Sequence, residues 1–438
     1  MKVMKFGGTS VGQPQRMHHV AQLISADNEE KIVVLSAVSG TTNALVEISN
    51  LLATNDKGEA RQKIAALEQH YISFAEELVA TEAGFEKAIE IIKEHFEFLN
   101  IILKISFSEA LQKDILAQGE LLSTKLFCVY LEEKGIEHEL LPALDFMNLD
   151  RDDEPQIGSI KIKLGQLLKQ HKNTKLFVTQ GFICRNARGE VDNLKRGGSD
   201  YSASLIAAAV NASVCEIWTD IDGMHNNDPR FIKNTTPVVQ LSFDEAAELA
   251  YFGAKILHPA SIWPAQYYNI PVRLLNTMQP TAKGTTILQQ ALDKNVKAVV
   301  AKDNIIAINI KSSRMLLAYG FLRKVFEVFE KHKTSIDMIT TSEVAVSVTI
   351  DDAIALPQII KELEAFGKVE VEKEHAIVSV VGNEIADNQE LLQNTFNALK
   401  NINVRMVSYG GSRHNITLLI AQTQKQQALQ QLHTGLFG

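Results

Sequence analysis

The hexapeptide Lys5-Phe6-Gly7-Gly8-Thr9-Ser10 follows directly on the short apolar run Val3-Met4. A strand that leaves through two glycines lets the backbone turn sharply, with no side chain between its amides and a ligand. Met17, Val20, Ala21 and Ile24 then recur at helical spacing, and Pro14 stands where a helix can open. Glycine-turn amides ahead of a helix N-terminus make an anion site. Lys5 would bring a full positive charge to it, and Thr9 and Ser10 add hydroxyl donors. No GxxxxGK[ST] occurs in the chain, so such a phosphate cradle would lack the usual P-loop spacing. A Gly-Gly turn after a strand is also plain structure in many chains. The rest of the sequence decides between the two.

The chain has 438 residues, too many for one ordinary core, so two or three domains are expected. Hydrophobic content of 45% and charged content of 22% are those of a soluble globular protein. A net charge of −8, with no block of like charge, argues against nucleic acid as a partner. No apolar stretch approaches a membrane span, and the chain enters a strand at once, so neither a membrane anchor nor a signal or transit peptide is expected. Cys128, Cys184 and Cys215 are widely spaced in apolar surroundings and read as buried free thiols. A cytoplasmic location follows as the default.

Residues 1–290 alternate strand-like and helix-like segments. The runs Ile32–Leu35, Leu176–Val178, Ile217-Trp218 and Val272–Leu275 suit parallel strands buried on both faces. With amphipathic helices between them, they imply a doubly wound α/β/α sandwich. From about Glu59 to Leu131 a largely helical stretch reads as an insertion beside the sheet. Near residue 295 the elements shorten and recur. Ile305–Ser312, Phe321–His332, Ser335–Thr341, Ala345–Ile350, Pro357–Phe366 and Lys368–Glu374 make one βαββαβ unit. Ala376–Val381, Asn388–Lys400, Val404–Ser408, Ile416–Ala421 and Gln424–His433 begin a second that lacks its last strand. The run Val296–Lys302 either completes that second sheet, which makes the first unit an insertion in the second, or is a linker. An unpaired sheet edge is costly, which favours completion.

KFGGTS, SAVSGTTN (Ser36 to Asn43), GELLST (Gly119 to Thr124), KRGGSD (Lys195 to Asp200), WTDIDGMHNNDPR (Trp218 to Arg230) and FGAKILHP (Phe252 to Pro259) stand in this order. Together they resemble the aspartate kinases of the amino-acid kinase superfamily, and the paired C-terminal units resemble that family's ACT regulatory domains. The resemblance spans essentially the whole chain. It implies an α/β fold, an amino-acid kinase sandwich followed by two ferredoxin-like ACT domains. The expected division is 1–292 catalytic, 303–374 a first, inserted ACT domain, and 293–302 with 375–438 a second. It also implies phosphorylation of the β-carboxylate of L-aspartate by ATP, the first step toward lysine, threonine and methionine.

Phosphoryl transfer to a carboxylate needs no general base, because the nucleophile is already an anion. What limits the rate is bringing it to a polyphosphate, so positioning and charge neutralisation carry the catalysis. By the resemblance Lys5 contacts the phosphates and stabilises the transferring group, and Gly7 and Gly8 form the cradle. Thr42 helps bind the amino acid, with Ser36 and Gly40 nearby. Glu120 answers the substrate ammonium, although a glutamate in a helix is ordinarily a solvated residue. Arg196 can grip a carboxylate with two parallel bonds. Ser199 and Asp200 complete that cluster, and Asp200 can pair with the ammonium or cap the helix from Tyr201. Thr219, Asp220, His225, Arg230 and Lys255 are the expected nucleotide contacts, with Asp228 in the same loop. His225 stands where many relatives carry a tyrosine and would stack more weakly on adenine. His258 precedes Pro259 and reads as structural. No dedicated carboxylate cage for a metal is found, so Mg²⁺ would be held chiefly by phosphate oxygens and water.

In the regulatory half, MLLAYGFL (Met315 to Leu322) and IDMITTSEVAVSV (Ile336 to Val348) resemble the lysine-responsive branch. The implied effector residues are Met315, Ala318, Gly320, Phe321, Leu322, Ser335, Asp337, Thr341, Ser342 and Glu343. Asp337 and Glu343 could meet an ammonium, or they could be hairpin-edge charges. Ala318 replaces a serine of related loops, which leaves threonine as the second candidate effector after lysine. Such units expose sheet edges, so a homodimer or a dimer of dimers is expected. The sequence stops at Gly438, and no fused homoserine dehydrogenase domain is expected. The alternatives are another amino-acid or carbamate kinase of the superfamily, or a non-catalytic amino-acid sensor. A dinucleotide dehydrogenase is disfavoured because no GxGxxG follows a strand.

Overall fold

Every residue of Lys31–Leu35 and of Leu176–Gln180 is buried, as expected of strands covered on both faces. Even Lys31 is inside, because its ammonium donates to the Ile24 carbonyl at 2.8 Å and to Asp27 at 2.5 Å. The structure is a computed structural model and describes residues 1–194, 197–253, 257–290, 295–312 and 319–438. The chain divides into two units, Met1–Met224 with Ile256–Gln289, and His225–Lys255 with Gln290–Gly438.

In the first unit the strands run in the order Glu139–Leu141, Leu176–Gln180, Lys31–Leu35, Lys2–Phe6, Cys215–Thr219, Val272–Asn276, Thr285–Leu288. All pair in parallel except the last. Lys2–Phe6 is central, with Lys31–Leu35 on one side and Cys215–Thr219 on the other. Connections leave it in opposite directions, so a crevice opens at the carboxyl ends of these strands. The helix Pro14–Ile24 begins at the proline. The expected insertion is three helices, Lys57–Leu78, Glu82–Ile102 and Glu109–Glu133. Asp56, Thr81 and Ser108 cap them by accepting from Glu59, Gly84 and Leu111 amides. Tyr71, Phe74, Phe96 and Phe127 belong to their shared core. The three cysteines are buried and free.

The second unit holds a six-stranded sheet in the order Ile339–Thr341, Ala345–Ile350, Val296–Lys311, Lys368–Gly382, Asn415–Ala421, Val404–Tyr409. Each strand is antiparallel to its neighbours. Two long strands form its spine. Ile305–Lys311 pairs with Lys368–His375, while Val296–Lys302 pairs with Ile377–Gly382, and the register shifts between Lys302 and Ile305. Two apolar clusters result, one around Ile308, Val325 and Ile359, the other around Val299, Val378 and Leu429. The strand expected over Ser335–Thr341 is shorter. The Met338 amide donates to the Thr349 hydroxyl at 2.9 Å instead of to a strand carbonyl, so regular pairing begins at Ile339. The segment His225–Lys255 belongs here too. Ile232 sits in the cluster with Val299, and the Asn227 side chain donates to the Leu429 carbonyl at 3.2 Å.

Candidate active site

A cleft of about 540 Å³ opens in the first unit at the carboxyl ends of Lys2–Phe6, Lys31–Leu35, Leu176–Gln180 and Cys215–Thr219. It is lined by the turns that follow them and by Glu120. Lys5 ends the central strand, and its ammonium lies 2.6 Å from Asp200 Oδ1, both side chains being largely buried. Asp200 stands in the first turn of the helix Gly198–Val210. It does not cap that helix, whose N-cap is Gly197 with no side-chain bond, and the capping alternative is thereby set aside.

The glycine turn is tight for a reason of space. Neither Gly7 nor Gly8 has a positive φ. A Cβ on Gly8 would lie 3.1 Å from the Ala37 carbonyl oxygen, and one on Gly7 3.3 Å from Lys5 Nζ. The Gly7 amide donates to the Trp218 carbonyl at 3.2 Å, which ties the turn to the neighbouring strand. Among the described residues the Gly8 and Thr9 amides make no such bond, so these two are the donors open to an anion.

The second turn is shaped by Gly40, whose φ of 85° makes it the N-cap of Thr41–Ala53 and places Thr42 at the cleft. Thr41 beside it is fixed by a 2.7 Å bond to the buried Tyr71 hydroxyl. Ser36 donates to the Ser199 hydroxyl at 2.9 Å, joining two turns across the cleft. The Ala37 amide donates to Glu120 Oε1 at 3.2 Å. The helix Glu109–Glu133 can come this near because position 119 is glycine, where a Cβ would meet Ala37 at 2.9 Å.

Glu120 is 3% exposed, and its Oε2 is buried with no hydrogen-bond partner. Burial pushes its carboxyl up to about 8. A partnerless carboxylate oxygen in a cleft is a seat for a cation. Thr219 donates to Asp220 Oδ1 at 3.1 Å, and both residues line the same cleft.

The cleft thus gathers Lys5, Gly7, Gly8, Thr42, Glu120, Ser199, Thr219 and Asp220, with Asp200 behind Lys5. Arg196 and Lys255 lie outside the described residues. His225 and Arg230 are described with the second unit. There Arg230 is paired with Asp228 through Nε at 2.9 Å and Nη2 at 2.6 Å, and His225 Nδ1 lies 2.9 Å from the Thr235 hydroxyl. His258 accepts from the Ala260 amide at 3.2 Å and so caps the turn at Pro259, in keeping with its structural reading.

Sequence reasoning did not single out Ser39, Asn43 or Phe182 as lining residues, nor Tyr71 and Gly181 as supports. Phe182 holds a left-handed φ of 65° at the cleft. The signal was Gly181, which follows a buried strand as Gly7 does. A Cβ there would fall 2.4 Å from Ser199 Cβ. Among the described residues no cluster of three His, Cys, Asp or Glu could hold a metal ion.

In the regulatory half, Gly320 has a φ of 79° and caps Phe321–Lys331. Phe321 is buried, whereas Leu322, Ser335, Thr341, Ser342 and Glu343 are exposed. Met315 and Ala318 lie outside the described residues. Asp337 is not a surface charge: its side chain is 1% exposed and pairs with Lys302 at 2.7 Å.

Residues 1–276 match the amino acid kinase family, and residues 378–436 match an ACT domain. The chain is 35% identical to the lysine-sensitive aspartokinase 3 of Escherichia coli over 99% of both chains. It resembles the crystal structure of E. coli aspartokinase III in complex with aspartate and ADP (R-state), with a TM-score of 0.84, 32% identity and complete coverage of both chains. It also resembles that enzyme in complex with lysine and aspartate (T-state), with a TM-score of 0.83, 33% identity and complete coverage of both chains.

Proposed function

The chain belongs to the amino acid kinase family, as an aspartokinase, and from that premise we propose how its cleft divides the work. The enzyme transfers a phosphoryl group from ATP to the β-carboxylate of L-aspartate, giving 4-phospho-L-aspartate. The observation that carries the assignment of roles is the partnerless, buried Oε2 of Glu120 in the cleft that holds Lys5. Glu120 takes the aspartate ammonium, with Thr42 and Ser199 as hydroxyl partners. Arg196 takes a substrate carboxylate. Asp200, already paired with Lys5, orients the Lys5 ammonium toward the phosphates. Lys5 and the Gly8 and Thr9 amides then stabilise charge on the transferring group, where it develops most in the transition state. Thr219, Asp220, His225, Arg230 and Lys255 serve the nucleotide. Mg²⁺ arrives with ATP. Glu120 and Asp220 are too few to cage the ion, which suits one held by phosphate oxygens and water.

We read 1–292 as the catalytic domain, 303–374 as an ACT domain, and 293–302 with 375–438 as a second one into which the first is inserted. The pairing of Val296–Lys302 with Ile377–Gly382 supports this reading. We further propose lysine as feedback inhibitor at the first ACT domain, through Gly320, Phe321, Leu322, Ser335, Asp337, Thr341, Ser342 and Glu343 with Met315 and Ala318, and a homo-oligomer joined through these domains. The lysine sensitivity named for the E. coli relative supports it. No helix among the described residues is long and apolar enough to cross a membrane, and the free thiols suit a reducing compartment, so we assign the enzyme to the cytoplasm. The test is an assay with ATP and a panel of amino acids, trapping acyl phosphate with hydroxylamine. Aspartate should be the preferred acceptor, and lysine should inhibit at saturating aspartate and ATP. Trapping with another amino acid instead, or with none, would overturn the assignment.

A further inference from the structure

The Asp337 side chain is buried at the centre of a charge cluster within the second unit. Lys302 Nζ lies 2.7 Å from Asp337 Oδ1 and 2.8 Å from Asp351 Oδ2. The Tyr251 hydroxyl donates to the same Asp337 Oδ1 at 3.0 Å, and the Lys302 ammonium lies 5.0 Å from the Tyr251 ring centroid. Asp337 Oδ2 is buried with no hydrogen-bond partner. Two carboxylates thus share one ammonium, and one carboxylate oxygen is left unsatisfied. Asp337 is the buried member and shares its one ammonium with Asp351 at the surface, which leaves the buried carboxylate short of positive charge and invites a cation.

We propose that Lys302 is an internal occupant of the effector's cation seat, and that an effector ammonium displaces it from Asp337 and thereby frees Tyr251. This rests on the reading of Asp337 as an effector residue. Asp337 is sealed in the present arrangement, so no ligand reaches it without a rearrangement. Lys302 already touches Asp351, which is 41% exposed, and can retreat to it without losing its charge partner. An amino acid carrying a side-chain ammonium fits the vacated position. Its cation supplies the missing charge, whereas a hydroxyl side chain would not.

Tyr251 makes the exchange consequential. It ends the helix Phe243–Tyr251, and two residues later Gly253 packs on Ala301, the neighbour of Lys302. A Cβ at Gly253 would fall 2.1 Å from the Ala301 carbonyl oxygen, at a φ of 132°. The chain from Tyr251 to Gly253 is therefore held to the Lys302 strand at two points, once through Asp337 and once by this contact. Displacing Lys302 from Asp337 loosens the first of these points, so the end of the helix Phe243–Tyr251 responds to what occupies the effector seat.

The test compares wild type, Lys302→Met and Tyr251→Phe, using lysine as the probe. Calorimetry reads its binding, and rates at saturating aspartate and ATP read its inhibition. Lys302→Met removes the internal competitor, so lysine should bind about tenfold tighter. Tyr251→Phe loses only a hydroxyl. It should bind lysine at least as tightly as wild type, while the ratio of the inhibitory concentration to the dissociation constant rises severalfold. If Lys302→Met fails to fold, the Tyr251→Phe comparison decides alone. Binding and inhibition within about twofold of wild type in both folded variants, or loss of lysine binding in a folded Lys302→Met, would overturn the proposal. Absence of lysine binding to wild type would instead overturn the effector reading, and the proposal with it, before any variant is made.

Discussion

If Glu120 takes the aspartate ammonium as proposed, aspartate binding should depend on pH in a way that can be worked out beforehand. Its carboxyl is held at about 8 by burial, against the pull of the Ala37 amide. At pH 7 the empty site is therefore roughly nine-tenths protonated. An ammonium at Oε2 needs the carboxylate, so binding releases a proton. Below pH 8 that release costs about 1.4 kcal/mol per pH unit. The aspartate KM should rise about fivefold from pH 8 to 7 and about ninefold more to pH 6, while the ATP KM stays level. The substrate's own carboxylates titrate well below this range and add no slope. Initial rates at saturating ATP between about pH 6 and 9 measure it. Calorimetry in buffers of different ionisation heat should count close to one released proton per aspartate at pH 7. Glu120→Gln keeps an acceptor for the Ala37 amide but cannot ionise. Its KM should be flat, about 1.5–3 kcal/mol above wild type near pH 9, with the gap closing toward pH 6 as wild-type Glu120 becomes neutral. A level KM in wild type, or a slope that survives in Glu120→Gln, would refute the argument.

Lys5→Ala should lower kcat by about two to three orders of magnitude with little change in the aspartate KM, since the lost charge acts mainly in the transition state. A folded variant with normal kcat would take Lys5 out of the chemistry. Arg196→Ala should raise the aspartate KM far more than the ATP KM, because a bidentate carboxylate contact is lost. The reverse pattern in steady-state rates would mean the arginine serves the nucleotide. Gly181→Ala places a Cβ 2.4 Å from Ser199 Cβ. Urea melts should show about 1–3 kcal/mol of lost stability, accompanied by a raised aspartate KM as Ser199 is pushed off Ser36. A neutral Gly181→Ala would mean that the two turns are not packed as tightly as the distance requires.

The strands of the sandwich were legible because fully buried parallel strands read as continuous apolar runs, and Lys31–Leu35 and Leu176–Gln180 are of that kind. The turns of the cleft were legible through clustered glycines and hydroxyls after those runs. What the sequence could not convey is who partners whom. Asp200 read equally as substrate ligand and helix cap, and only the fold gives it Lys5. Asp337 read as a hairpin-edge charge or an effector contact. Its burial depends on Tyr251 and Lys302, which are 86 and 35 residues away along the chain. Tyr71 was invisible for the same reason. A tyrosine within an amphipathic helix carries no local sign that its hydroxyl will meet Thr41, thirty residues earlier. Local pattern encodes which face is apolar, whereas ion pairs between distant elements depend on topology.

The acids of the cleft pose an electrostatic question, since both substrates of an aspartokinase are anions. Fixed negative charge at the meeting point would repel them and oppose catalysis. The geometry avoids this by two different means. Asp200 is cancelled by Lys5 at 2.6 Å, so the pair presents little net charge while fixing the lysine in place. Glu120 is kept mostly neutral near pH 7 by its own burial and becomes an anion only as an ammonium arrives. An anion lacking an ammonium gains nothing from ionising Glu120. A dicarboxylate with an α-ammonium supplies the compensating charge itself. In the proposed role of Glu120, selection for an amino acid over a plain dicarboxylic acid would rest on this one titrating group. Succinate should accordingly be a poor ligand whose affinity falls with rising pH through 8, opposite in sign to aspartate. Competition assays against aspartate at several pH values would show it, and a succinate affinity that rises in parallel with that of aspartate would mean Glu120 is not the group that reads the ammonium.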